Sequence, residues 1–284
     1  MKICLKPLFI LIILSKIFLI SQKGLNPLSE CEKGRISKYI GWEEGGHCSF
    51  PSHTKAIGST YLYPSAPNYD LFVSTAHCGT CYEIVGPYGA IRTRVESYCP
   101  KDDESGLCNG DINHFNVANN GSSYLMGNGE LANVTFRMVE CGFSGNIRIL
   151  SDESSDKYAF SFIILDHNLP VNSVSIQENG SETWEKIVRD EYNYWTYDTG
   201  YEILYPLKIM IYSINGDFVT VNVENLNTEG IYEANGNFKT VNDTYFDITT
   251  FNKKEKPTDT ENCCERDISD FSPIYKDGYI NDTS

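Results

Sequence analysis

Short runs in which apolar and polar residues alternate, broken by Gly and Asn, make up most of this chain. "YDLFVSTAHC", "CYEIVG", "IRTRVESY" and "ANVTFRMVEC" read as short strands, and residues 31–145 show no long apolar stripe of period 3.6. The texture changes at Asn146. "GNIRILSD", "YAFSFIILDH", "VNSVSIQENG", "YPLKIMIYSINGDFVTVNVEN" and "GIYEANGNF" follow at regular spacing. "ENGS" and "INGD" each set Asn-Gly between two such runs, a strong local signal for a tight hairpin. The pattern predicts an all-β protein: a turn-rich β domain, then an antiparallel β-sandwich over residues 146–250. Residues 251–284 are polar and charged and are read as a disordered tail.

The first residues follow a different rule. Met1-Lys2 and Lys6 precede an apolar run from Pro7 to Ile20, too short to span a bilayer comfortably. Residues 1–21 are therefore read as a secretory signal peptide cleaved after Ser21. Cleavage removes three lysines and no acid, so the formal charge falls from −15 to −18. That balance argues against nucleic acid or an anionic membrane as partner.

Ten cysteines suit an oxidising compartment. Cys31, Cys48, Cys78, Cys81, Cys99, Cys108 and Cys141 precede residue 145, and Cys263 and Cys264 stand alone near the end. Asn120, Asn133, Asn179, Asn242 and Asn281 open N-x-S/T sequons, which a secreted chain exposes to glycosylation. The pair in "CGTC" lacks the βαβ context of a redox motif and the second pair of a zinc site. Neither metal nor cofactor is expected. There is no nucleophile elbow, phosphate loop or HExxH helix. Polysaccharide chemistry remains, for which 19 Tyr, 14 Phe and 3 Trp supply rings, although most rings in a β protein are core.

In order, "GRISKYIG", "GGHCSF", "CGTCYEIVGP", "VESYCP", "NHFNVA" and "VTFRMVECGFSGNIRI" resemble the expansin family. "SSDKYAFSFIILDHNLPVNSVSIQENGSETWEKIVRDEYNYW" is similar to the family's carbohydrate-binding sandwich. The resemblance implies a six-stranded double-psi β-barrel over residues 31–145 followed by an immunoglobulin-like sandwich. It also implies the bridges Cys48–Cys78, Cys81–Cys141 and Cys99–Cys108. Cys31, Cys263 and Cys264 are left over, one of the late pair being expected to reach Cys31.

The family's groove carries a hydroxyl near the start, an Asp-x-Tyr element and the Asp of a His-Phe-Asp motif. By resemblance, Ser37 (or its neighbour Tyr39) matches the hydroxyl, Glu96 and Tyr98 match Asp-x-Tyr, and Asn116 falls on the acid. Glycoside hydrolysis needs two carboxyl groups, and an amide has no proton to give a glycosidic oxygen. No catalytic residue is therefore expected. Asp111, Asp102, Asp103 and Glu104 read as a solvated acidic turn, not as a replacement acid. Gly121 and Ser122 depart from the small residue and Phe that begin a short packed helix in the family. A glycan on Asn120 would crowd the groove end.

In the sandwich, Tyr158 and Tyr192 match two of a row of exposed rings, and Lys157 stands where another ring would be. Trp184 and Trp195 are expected in the core. The implied function is a secreted extracellular-matrix or cell-wall protein. It binds cellulose or a related β-glucan and loosens it without hydrolysis. A structural cellulose-binding protein with an inactive barrel, or an endoglucanase using Asp111 or Glu96, are the alternatives.

Overall fold

Alternating side chains decide how the strands close. In the computed structural model, which describes residues 28–39, 46–51, 62–103 and 105–239, the inward positions Ile36, Tyr82, Ile84, Phe115 and Phe136 are fully buried. Phe115 meets Phe136 edge-on at 5.0 Å and Tyr82 at 5.3 Å, and these rings fill the first domain's centre. Around them β1 (Glu32–Tyr39), β2 (Tyr63–Pro67), β3 (Cys81–Val85), β4 (Ala90–Val95), β5 (His114–Ala118) and β6 (Leu131–Val139) close a barrel in the order β1-β5-β2-β4-β3-β6. The pairs β1–β5 and β2–β4 run parallel and the other neighbours antiparallel. Parallel neighbours need crossovers, so this is not a simple meander. The six-stranded barrel expected from the resemblance is present.

Two segments depart from the strand reading. "YDLFVSTAHC" is rich in β-formers, yet it folds as a short helix, α1 (Tyr69–Phe72), and a 3₁₀ turn over Ser74–His77. Val73 and Ser74 take φ of 50° and 47°, which no strand accommodates. Asn119–Met126 forms a second helix, α2, despite Gly121 and Ser122. A Cβ on Gly121 would lie 2.7 Å from Cγ of Tyr63, so the helix packs against β2 only with a glycine there.

The second domain is two four-stranded antiparallel sheets. One has the order β10 (Glu185–Ile187), β9 (Val171–Gln177), β12 (Leu207–Ser213), β13 (Phe218–Val223). The other has β11 (Trp195–Asp198), β8 (Ala159–Leu165), β7 (Arg148–Ser151), β14 (Ile231–Glu233). Gly180 and Gly216 supply positive φ in the two Asn-Gly connections, β9–β10 and β12–β13. Phe160, Phe162, Val174, Ile176, Ile209, Ile211 and Trp195 lie buried between the sheets. Trp184 does not: it is 40% exposed just before β10, which corrects its assignment to the core.

Cysteines staple the barrel as Cys48–Cys78, Cys81–Cys141 and Cys99–Cys108, the three pairings the resemblance implies. Both cysteines of "CGTC" are thus bonded elsewhere, and neither is a redox partner or zinc thiolate of the other. Cys31 is also disulfide-bonded. Cys263 and Cys264, the signal peptide, the sequons at Asn242 and Asn281, and the tail lie outside the described residues.

The domains meet through polar contacts with defined partners. The amide of Asn193 donates to the carbonyl of Cys48 at 3.0 Å, and the Thr75 hydroxyl to the carbonyl of Asp190 at 2.9 Å. Asn168 accepts from Phe143 N–H and donates to its carbonyl, at 2.7 and 2.9 Å. Gly79, at φ 75°, lies directly against His167: a Cβ there would stand 2.3 Å from Nε2.

Candidate functional site

Parallel pairing of β1 and β5 sets Ser37 opposite Asn116, with His114 two residues away on the same strand face. The Ser37 hydroxyl donates to Asn116 Oδ1 at 2.6 Å. His114 Nε2 lies 3.1 Å from the same oxygen and 3.0 Å from Ser37 Oγ. The tautomer follows from the other nitrogen. Arg35 Nε donates to His114 Nδ1 at 3.3 Å, so the proton sits on Nε2 and is shared toward Asn116. Burial lowers the His114 pKa to about 4; the bond to Asn116 opposes that shift and the Arg35 charge adds to it. The amide nitrogen of Asn116 donates to Cys99 Sγ at 3.3 Å. One amide oxygen thus takes the two donors that a carboxylate oxygen would take, and no group in the trio is a neutral-pH acid.

The remaining groove positions fall differently. Tyr39, at the end of β1, is exposed and not part of the trio. Glu96 is 6% exposed, and one of its oxygens accepts from Arg94 at 2.7 and 3.0 Å. Arg94 in turn lies over the Phe50 ring. Glu96 is therefore a buried ion-pair partner, not the open groove carboxylate expected for it. Glu96 lies just past the end of β4, close enough behind Arg94 for its carboxylate to meet the guanidinium. Asp111 sits in an exposed turn and accepts from the Asn109 amide at 2.9 Å. Among the described residues, the single His/Cys/Asp/Glu grouping of metal-site size is Cys99, Asp103 and Cys108, whose cysteines are bonded to each other.

Tyr98 lies flat on buried Phe72 at 5.1 Å, and from it a row of rings extends both ways. Tyr69 lies 6.1 Å to one side, with the Lys101 ammonium 5.2 Å over its ring. His47 lies 4.6 Å to the other side, and the next ring beyond it, at 5.2 Å, is Tyr192 of the sandwich. Burial among these rings lowers the His47 pKa, against the raising influence of Glu191 and Asp190. Asp190 builds the turn that presents Tyr192. Its carboxylate accepts the N–H groups of Tyr192 and Tyr194 at 2.9 and 2.8 Å, while its carbonyl holds Thr75 of the barrel.

On the sandwich, Tyr192 is 51% and Tyr158 43% exposed. Strand β11 runs between them: Thr199 N–H donates to the Tyr158 carbonyl, and the Thr196 and Ser161 hydroxyls meet at 3.0 Å on the outer surface. Lys157 covers Tyr158, its ammonium 4.9 Å over the ring and 3.7 Å from Glu202. The structure thus brings Tyr98 and Tyr192 into one row through His47, and leaves Glu96 out. Sequence reasoning missed His47 and Tyr69. Neither had a local signal, because His47 meets Tyr98 and Tyr192, and Tyr69 meets Tyr98, only once the chain is folded. Asn120, Asn133 and Asn179 are exposed.

Residues 1–134 match the expansin N-terminal domain and residues 139–239 the expansin-like protein middle domain. Expansin-like protein 2 of Dictyostelium discoideum is 29% identical over 73% of this chain, which spans about half (50%) of that relative's length. Expansin-like proteins 1 and 5 of the same organism are 24% and 27% identical, over 80% and 79% of this chain and 79% and 94% of theirs. The fold is similar to the crystal structure of the apo Clavibacter michiganensis expansin, with TM-score 0.61 and 20% identity over 74% of this chain and 99% of that one. It is equally similar to an Asp-to-Asn variant of that expansin in complex with cellohexaose, with TM-score 0.62, 21% identity and the same coverage. With both of its domains matched in order, the chain belongs to the expansin family.

Proposed function

We propose that this protein is secreted, binds a cellulose-type β-glucan along both domains and loosens chain-to-chain contacts without breaking a glycosidic bond. The observation that carries the reading is the row Tyr69–Tyr98–His47–Tyr192, which continues from the barrel groove onto the sandwich surface. A glucan is uncharged, with flat apolar ring faces and hydroxyl edges. Stacked aromatic faces suit the first, at about 1 kcal/mol per ring by analogy with aromatic pairs. The Ser161 and Thr196 hydroxyls and the Asn116 amide suit the second.

Hydrolysis is disfavoured on chemistry. It requires an acid and a base or nucleophile flanking the bond, some 5–10 Å apart. Here the acid position is an amide, Glu96 is spent on Arg94, and Asp111 is held in a turn by Asn109. His114 is neutral above a pKa of about 4, and its proton is engaged by Asn116. The expansin complex with cellohexaose supports a cello-oligosaccharide as ligand class.

The test is paired. Purified protein incubated with soluble glucan and with paper should release no reducing ends while lowering the paper's tensile strength. Release of reducing ends would establish the endoglucanase alternative. Binding to insoluble cellulose without weakening would leave a structural matrix protein, which the Asn116 amide favours.

A further inference from the structure

At the domain junction a cavity of about 70 Å³ is lined by Ala76, His77 and Met138 of the barrel and by Pro170, Asn172 and Arg189 of the sandwich, among others. Arg189 follows β10, and its guanidinium carbon lies 5.2 Å from the centre of the Trp195 ring. That ring satisfies one face of the guanidinium. The five N–H donors lie in its plane and need acceptors at the edge.

The described residues include six arginines, and five have a protein acceptor: Arg35 the carbonyl of Leu107, Arg92 that of Cys141, Arg94 Glu96, Arg137 Glu83 and Arg148 Asp166. Arg189 has neither a hydrogen-bond acceptor nor a carboxylate within ion-pair distance among the described residues. Acids are not scarce in a chain with 38 Asp and Glu against 23 Lys and Arg. Asp190 follows Arg189 directly, but its carboxylate turns to the N–H groups of Tyr192 and Tyr194. Burial lowers the Arg189 pKa to about 10, and the Arg189 charge adds to the burial that holds His77 and His167 near 4. Arg189 is half-buried at this junction, stacked on Trp195 with the edge of its guanidinium open to a ligand.

We propose that this cavity binds one small anion, of halide or carboxylate size, held at the edge of the Arg189 guanidinium with Asn172 at the wall, and that the bound anion ties the sandwich to the barrel. Such a ligand stabilises the joined form by mass action.

The experiment compares thermal unfolding of the full chain in chloride, in acetate and in a bulky buffer sulfonate, all as sodium salts at equal ionic strength. Chloride, acetate or both should raise the midpoint by about 3 °C or more over the sulfonate at tenfold excess over Kd, and which does so identifies the anion. The difference should vanish in Arg189→Met. Equal midpoints in the three salts, or an unchanged difference in Arg189→Met, would overturn the proposal. Should Arg189→Met fail to fold, Asn172→Asp decides, because it puts a carboxylate on the cavity wall. Loss of the anion dependence supports the site, and an undiminished dependence overturns it.

Discussion

The rings of His47 and Tyr192 lie 5.2 Å apart, one carried by the barrel and the other by the sandwich. The row of rings crosses the domain boundary at this contact. Replacing His47 by Ala should lower affinity for insoluble cellulose about five- to tenfold, the equivalent of one aromatic contact. His47→Phe should retain most of it. Depletion isotherms give the answer, and an unchanged isotherm for His47→Ala would count against the continuous track.

Lys157 occupies one face of Tyr158. A sugar must displace the ammonium before it can stack, and the Glu202 carboxylate helps to hold that ammonium in place. Lys157→Trp should raise cellulose affinity several-fold by adding a ring and uncovering another. The same isotherms, repeated in high salt, test this: the gain should persist when charge interactions are screened.

Asn116→Asp gives the trio a carboxylate that accepts the same Ser37 and His114 donors. A negative charge beside the imidazole favours its protonated form, so the His114 pKa should rise from about 4. Proton NMR titration of the ring reads the shift. Paper weakening by native and Asn116→Asp protein should favour the Asp form; equal weakening would show that the amide does not limit the activity.

Acid should loosen the domain junction. His77 and His167 are buried at 2% and 4% exposure, with pKa values held near 4 by burial foremost, then for His77 by Arg189 and for His167 by Arg94 and Arg189. In the unfolded chain each titrates near 6.5, so between these values the unfolded state binds more protons. The neutral-state stability is fully present above about pH 6.5 and is lost as pH falls through 4, by on the order of 3 kcal/mol per histidine. Urea midpoints measured from pH 7 to 4 should fall accordingly, and the fall should shrink in His167→Gln. A flat profile would contradict the buried neutral assignment.

Gly79→Ala should destabilise the chain by about 2–4 kcal/mol, because it combines a left-handed backbone with a Cβ driven into the His167 ring. A lowered urea midpoint checks this, and His167→Ala in the same chain should recover part of the loss by removing the obstacle.

Much of the strand framework was legible because alternation is a local property. "CYEIV" and "LANVTFRMV" became β3 and β6, and Asn215-Gly216 turns between β12 and β13, whereas Asn179-Gly180 lies in a longer connection over 178–184 and not in a tight hairpin. "YDLFVST" was misread because β-forming side chains say nothing about the left-handed backbone that Val73 and Ser74 adopt under tertiary packing. The trio at Asn116 was half visible: the amide could be aligned with the acid, but the tautomer of His114 depends on Arg35, 79 residues away in sequence. The Glu96–Arg94 pair was not legible, because Glu96 lies past the end of β4, where alternation no longer sets the face. The row through His47 could not have been found, since its neighbours come from segments 51 and 145 residues further along the chain.

Cys48 binds Cys78 through its sulfur and Asn193 through its carbonyl, and the next residue back is His47. A reductant that opens this bridge would free the segment that carries both His47 and the carbonyl that Asn193 holds. The His47–Tyr192 contact would then be held less firmly, although Thr75 and Asn168 still join the modules. Oxidation of the pair would fix that contact in place.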